Sequence, residues 1–188
     1  MESLEEFAAR EGPFDVVLSD PPWLYWGDPN KMAAAGKHYD LMTDEALHAL
    51  PVRALLAPRA VVLVWTTSSS LARAVHLLDA WGLHYRSVAF DWVKTRRDGK
   101  PMGARGVRPS ITKPLTEQVL AASTMARGRP LKLHDESICQ TVFAPVGEHS
   151  AKPEEVQNRL DKMYPNTRRL EMFARRERPG WSVWGNQV

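Results

Sequence analysis

A single cysteine, Cys139, stands in a chain of 188 residues. One thiol excludes an internal disulfide and, with no other thiol beside it, a cysteine zinc site. Cys139 itself is expected to be a small core residue. Long apolar runs are lacking too, since none approaches the roughly 18 residues needed to span a membrane. The first stretch, MESLEEFAAREG, is acidic and helical where a signal peptide is basic and then apolar, so a cytoplasmic protein is expected. The six histidines show no metal-ligand spacing, and no repeat or low-complexity linker divides the chain. What is present is an ordinary globular composition, 44% hydrophobic and 25% charged, of a length that suits one domain over residues 1–188.

The net charge of +3 hides an asymmetry. Residues 1–93 carry 7 Lys and Arg against 12 Asp and Glu, whereas residues 94–188 carry 18 against 10. The basic half has room for a polyanion, whose phosphates it would neutralise with salt-dependent affinity. The alternative is a solvated surface in an arginine-rich chain.

Hydrophobic periodicity predicts an α/β fold. After a short acidic helix, residues 14–19 read as a buried strand. Thr43 caps a helix expected over 44–56 and stopped by Pro58. Residues 60–66 (AVVLVWT) form the second strand, and a helix over 71–81 is closed by Gly82. Strands are expected at 85–94, 117–122 and 137–143, then a helix opened by Pro153, then a last strand at RRLEMFA. Residues 24–40 and 95–114 read as loops, the second long, basic and glycine-rich, and loops of that length are usually functional or disordered. Strands alternating with helices predict one mostly parallel sheet, with any antiparallel pairing in its C-terminal part.

The first strand ends in Asp20, Pro21, Pro22 and Trp23. In open α/β sheets ligands bind beyond the carboxyl ends of the strands, which is where Asp20 falls. The two prolines stiffen the segment and remove two donors, leaving the Asp20 carboxylate and three carbonyls as acceptors. Such a corner selects a ligand that brings N–H groups, and an exocyclic amine fits. Trp23 adds a flat face on which a base can stack. An amine conjugated to a ring is a poor nucleophile; hydrogen bonds from its N–H groups to Asp20 and the Pro21 carbonyl favour the pyramidal form whose lone pair faces an electrophile. Taken alone, the tetrapeptide is equally a rigid turn whose Asp caps a helix and whose Trp fills the core.

Further motifs follow in order: HYDLMTDEAL, VVLVWTT, FDWVK, HSAKPEEV, RRLEMFARR and GWSVWGNQV. Together with DPPW this series, from Phe14 to Gln187, closely resembles the N6-adenine methyltransferases of the eukaryotic messenger-RNA type and their bacterial and phage relatives. The resemblance implies a Rossmann-like, S-adenosylmethionine-dependent fold of the permuted class, with the catalytic segment ahead of the cofactor strand. It implies methyl transfer to N6 of adenine in nucleic acid, by direct displacement and without metal, S-adenosylhomocysteine being the second product. Asp20, Pro21, Pro22 and Trp23 match the catalytic motif, Asp20 also lying near the cofactor. Tyr39, Glu117, Ser150 and Lys152 match residues around the acceptor base. Glu171, Phe173 and Arg175 fall on the cofactor strand, and Asn186 and Gln187 match amides that contact the cofactor. The chain departs from many methyltransferases in lacking a glycine-rich turn after that strand, where Phe-Ala-Arg-Arg follows Glu-Met.

The compact chain looks more like a bacterial or phage enzyme than the eukaryotic ones, so DNA is favoured over RNA. Specificity would come from residues 24–40 and 95–114 and be short or relaxed, as suits protection of a genome from restriction. The alternatives are an RNA adenine methyltransferase and a catalytically idle, nucleic-acid-binding partner subunit, against which the presence of Asp20 speaks. A homodimer is compatible with the class, but no interface signature marks one. Trp181 and Trp184 are expected to dock the C-terminal tail onto the body.

Overall fold

The computed structural model describes residues 2–24, 41–102, 111–147 and 151–185. Seven strands form one sheet in the order β5-β3-β4-β2-β1-β6-β7. In chain order these are β1 (Phe14–Ser19), β2 (Leu56–Thr67), β3 (His84–Thr95), β4 (Thr116–Ser123), β5 (Thr141–Pro145), β6 (Arg169–Met172) and β7 (Ser182–Trp184). The helices are α1 (Leu4–Glu11), α2 (Asp44–His48), α3 (Leu71–Ala80) and α4 (Glu154–Met163).

β1 lies between β2 and β6, parallel to both. Its near-continuous apolar run is what a strand covered on both faces requires. Alternation along β1 and β2 divides the core. Val17, Val62 and Val64 point toward α1 and α3, with Leu4, Phe7, Leu77, Leu78 and Trp81. Val16, Leu18, Leu63 and Trp65 point the other way, toward Val156 and Leu160 of α4. Helices therefore cover both faces, as the pattern predicts. Among the described residues, no helix is long and apolar enough to cross a membrane.

Several expectations are corrected. The antiparallel pairing is not C-terminal: β4 runs against both β2 and β3, while β6 and β7 are parallel to their neighbours. β3 and β4 are consecutive in the chain and pair directly with each other, an arrangement that antiparallel strands allow without a crossover. The helix after Thr43 stops at His48 rather than near Leu56. Pro51 is the cause, because its ring excludes a helical turn behind it; a single 3₁₀ turn, Val52–Leu55, follows. Pro58 sits inside β2, where the register against β1 is irregular, a place that tolerates proline. β5 begins at Thr141, not at 137, and Cys139 is exposed rather than in the core. The Arg159 guanidinium takes the carbonyls of Cys139 and Thr141, at 2.5 and 2.9 Å, on the side of this edge strand that faces away from β3.

The tail docks as expected. Trp181 and Trp184 are buried, and β7, too short to stand out in the sequence, continues the sheet beyond β6. The Trp184 indole donates to the Glu2 carbonyl at 3.2 Å, tying the two ends of the described chain together.

Candidate active site

All strands but β4 point their carboxyl ends to one edge. Because β4 is reversed, its beginning lies there too, with Glu117 beside Thr67 of β2 and Trp92 of β3. This edge gathers Asp20 after β1, Trp65 near the end of β2, Lys94 near the end of β3, Glu117 at the start of β4, and Phe173 after β6. Lys152 arrives from the segment that leads into α4.

These side chains form a chain of alternating charge. Lys152 Nζ donates to Asp20 Oδ2 at 2.7 Å and lies 3.6 Å from Glu117 Oε2. Lys94 pairs with the other oxygen of Glu117. Each lysine also rests over an indole, Lys152 at 5.6 Å from the Trp65 ring and Lys94 at 5.1 Å from the Trp92 ring. The two rings meet edge to face at 6.2 Å, so the cations sit on a rigid aromatic floor.

The two carboxyls respond differently. Burial raises the pKa of Asp20, although its side chain keeps 30% exposure, and Lys152 offsets only part of that effect. Burial acts on Glu117 as well, but Lys152 and Lys94 together outweigh it and hold Glu117 below the usual range. Burial also raises Glu171, against the opposing hydrogen bond from Gln157 Nε2 to its Oε2 at 2.8 Å.

A cavity of about 270 Å³ opens at this edge, its walls including Asp20, Trp65, Lys152, Glu171, Phe173 and Arg175. Phe173 adopts φ 59°, in the left-handed region that a bulky residue rarely occupies. The backbone reversal that a glycine-rich turn would supply is thus made by a phenylalanine, its ring held edge to face by Trp184 at 5.4 Å.

Asp20, Glu117, Lys152, Glu171, Phe173 and Arg175 are therefore brought together. Trp23 is not. It is 5% exposed and packs into the core on the side of α1 and α3, with the Arg73 guanidinium 4.5 Å over its ring. The face expected to receive a base is covered by an arginine, because the turn after β1 carries the ring away from the cavity. The acceptor set is also smaller than expected. The Pro22 carbonyl is taken by Met42 N at 2.8 Å, and the Pro21 carbonyl accepts Trp23 N at 2.9 Å, keeping its second lone pair. Tyr39, Ser150, Asn186 and Gln187 lie outside the described residues, as do most of 24–40 and the middle of 95–114.

Sequence reasoning missed Trp65, Lys94, Gln157 and Arg73. The strand-end rule that found Asp20 applies equally to Trp65 and Lys94. Gln157 and Arg73 face their partners only through the tertiary fold.

The sequence profile of a family described as MT-A70 matches residues 14–187. The chain is 27% identical over 194 residues to the Type II methyltransferase M.MunI of a Mycoplasma species, covering 93% of this chain and 78% of that protein. It is 27% identical over 188 residues to the human N(6)-adenine-specific methyltransferase METTL4, of which it spans 37%. It is 30% identical over 199 residues to the N6-methyladenosine RNA methyltransferase MTA1 of Cryphonectria parasitica, 98% of this chain and 54% of that one.

Proposed function

Since the chain belongs to the MT-A70 family, we propose that it transfers a methyl group from S-adenosylmethionine to the N6 amine of adenine in nucleic acid, preferentially DNA. The observation that carries this reading is the Asp20–Lys152–Glu117 chain of ion pairs, set at a strand-end cavity that Glu171, Phe173 and Arg175 also line.

The cavity's donor set suits the cofactor. It combines a carboxylate able to accept from ribose hydroxyls, a guanidinium able to pair with a carboxylate, and an aromatic wall. Glu171, Phe173 and Arg175 would hold S-adenosylmethionine together with Asn186 and Gln187. When bound, it supplies an electrophilic methyl group on a sulfonium. Asp20 and the free lone pair of the Pro21 carbonyl accept the two amine N–H groups. The amine nitrogen so held would take up the methyl group, the bonding pair staying with the sulfur, and the cationic product amine would lose its surplus proton to water. Lys152 holds Asp20 until an N–H donor takes its place, and Glu117, kept ionised by Lys94, then receives the lysine. Pro21 and Pro22 keep the acceptors rigid, Trp23 anchors the motif from behind, and Tyr39 and Ser150 help seat the base.

DNA is favoured by the match to M.MunI, of which the chain covers a larger share than of the RNA enzyme MTA1. Specificity is short or relaxed and resides in 24–40 and 95–114, which fits a role in restriction and modification. The test is to incubate protein and cofactor with duplex DNA or with RNA, digest to nucleosides, and quantify N6-methylated product by mass spectrometry. Product on DNA is expected, with a loss of at least about 100-fold in Asp20→Ala. An equally active Asp20→Ala overturns the mechanism, and product on RNA alone overturns the preference.

A further inference from the structure

We infer that Arg73 is a positioning residue for the catalytic segment, fixing the end of that segment opposite to Asp20. The inference rests on the methyl-transfer reading insofar as it takes Asp20 and the Pro21 carbonyl as the working groups.

The problem Arg73 solves is set by the prolines. Pro21 and Pro22 have no N–H, so the segment leaving β1 cannot be held by ladder donors. Its first end is secure, since Ser19 sits in register between Val64 of β2 and Met172 of β6. Its second end needs holding from outside, and the Trp23 indole nitrogen finds no acceptor among the described residues.

Arg73, in the first turn of α3, makes three contacts from one planar group. Its guanidinium lies over the Trp23 ring at 4.5 Å. Nη2 donates to the Leu24 carbonyl at 3.0 Å, and Nε donates to Asp44 Oδ1 at 2.6 Å. Asp44 opens α2 directly after the cap Thr43. Met42, just before that cap, donates to the Pro22 carbonyl at 2.8 Å, and its own carbonyl accepts Leu24 N at 2.9 Å. One side chain thus clamps Trp23, Leu24 and the strand fragment at Met42 that pairs with them. Its side chain is only 19% exposed, which screens these contacts less than open solvent would. Lysine cannot replace it, because a point charge on a flexible stem offers neither the stacking plane nor the fork. A tilt at Trp23 passes along two rigid prolines to Asp20, and misplacement of about 1 Å is enough to cost a reaction up to about 100-fold.

The experiment compares Arg73→Met, Arg73→Lys and Asp44→Asn with wild type. Three readouts are taken: single-turnover methyl transfer, cofactor affinity by calorimetry, and hydrogen exchange at the Leu24 and Met42 amides. In Arg73→Met, methyl transfer is expected to slow about tenfold or more while cofactor affinity stays within about twofold. Arg73→Lys and Asp44→Asn fall between. Leu24 and Met42 exchange faster, whereas the amides of β1 keep their protection. Wild-type transfer rates in Arg73→Met overturn the inference. So does a loss shared equally by cofactor affinity and β1 protection, which marks a general structural role. If Arg73→Met fails to fold, the same criteria apply to the two milder variants. If wild type methylates neither DNA nor RNA, the methyl-transfer reading fails, and the exchange data alone decide whether Arg73 holds the segment.

Discussion

Lys152 stands between two carboxyls that burial and charge drive in opposite directions, and this sets the pH behaviour of the site. Asp20 is raised because its desolvation exceeds the help from Lys152. Since the charged carboxylate of Asp20 is the stronger acceptor for the amine N–H and the form that stabilises the developing positive charge, methyl transfer is expected to fall on the acid side at a pH above the ordinary aspartate value. Lys152→Met removes the offsetting cation and should move that limb to still higher pH, which a pH–rate profile reads directly. An unmoved limb would mean that Lys152 does not govern Asp20. For stability the signs differ. The lowered Glu117 contributes stability above the unfolded glutamate value and loses it as pH falls through the folded one. The raised Asp20 contributes below the unfolded aspartate value and loses that contribution as pH rises through its folded one. At this scale the sequence was partly legible. The position of Asp20 at the strand-end cavity was readable because strand ends are where α/β sheets bind ligands. Trp23 was misjudged because a flat ring says nothing about which side of the sheet it faces, and Arg73 was missed because its partners lie 29 and 49 residues away.

Among the elements, β7 and the residue after it do more than three residues suggest. Ala174 N donates to the Trp184 carbonyl at 3.1 Å. That pairing brings Gly185 so close that an added Cβ would stand 2.5 Å from Ala174 O and 2.9 Å from its N. Gly185→Ala must therefore push β7 from β6 and disturb the Phe173–Trp184 contact beside the cavity. An overpacking cost of about 1–3 kcal/mol is expected, with cofactor affinity falling as well. Thermal melting and calorimetry check both, and a variant that melts and binds like wild type would show that the tail adapts freely. The long elements were readable because their periodicity is strong. The expected end of the helix after Thr43 failed because Pro51 stops it, and the expected sheet direction failed at β4, which pairs antiparallel with both neighbours.

Across the whole molecule the charge asymmetry of the sequence does not become two lobes. The strands of the basic half flank and interleave with those of the acidic half in one sheet. Several of its arginines are committed internally: Arg159 to the carbonyls before and in β5, Arg168 to Gly12, and Arg169 and Arg178 to Asp161. Salt dependence of binding to a duplex oligonucleotide should accordingly show a slope, at about −0.9 per phosphate contacted, far short of one contact for each of the eighteen cations. A slope near zero would exclude a polyanionic substrate.

The pairing of Leu24 with Met42 gives the chain a neck. Leu24 and Met42 are hydrogen-bonded neighbours although 17 residues lie between them in the sequence, so residues 25–40, proposed to carry specificity, are free to change in number between two fixed points. Joining two fixed points by a chain segment costs only about 0.6 kcal/mol in closure entropy for each doubling of its length. Selection, or an engineer, can therefore change the number of residues between Leu24 and Met42 while the stability of the sheet stays nearly constant.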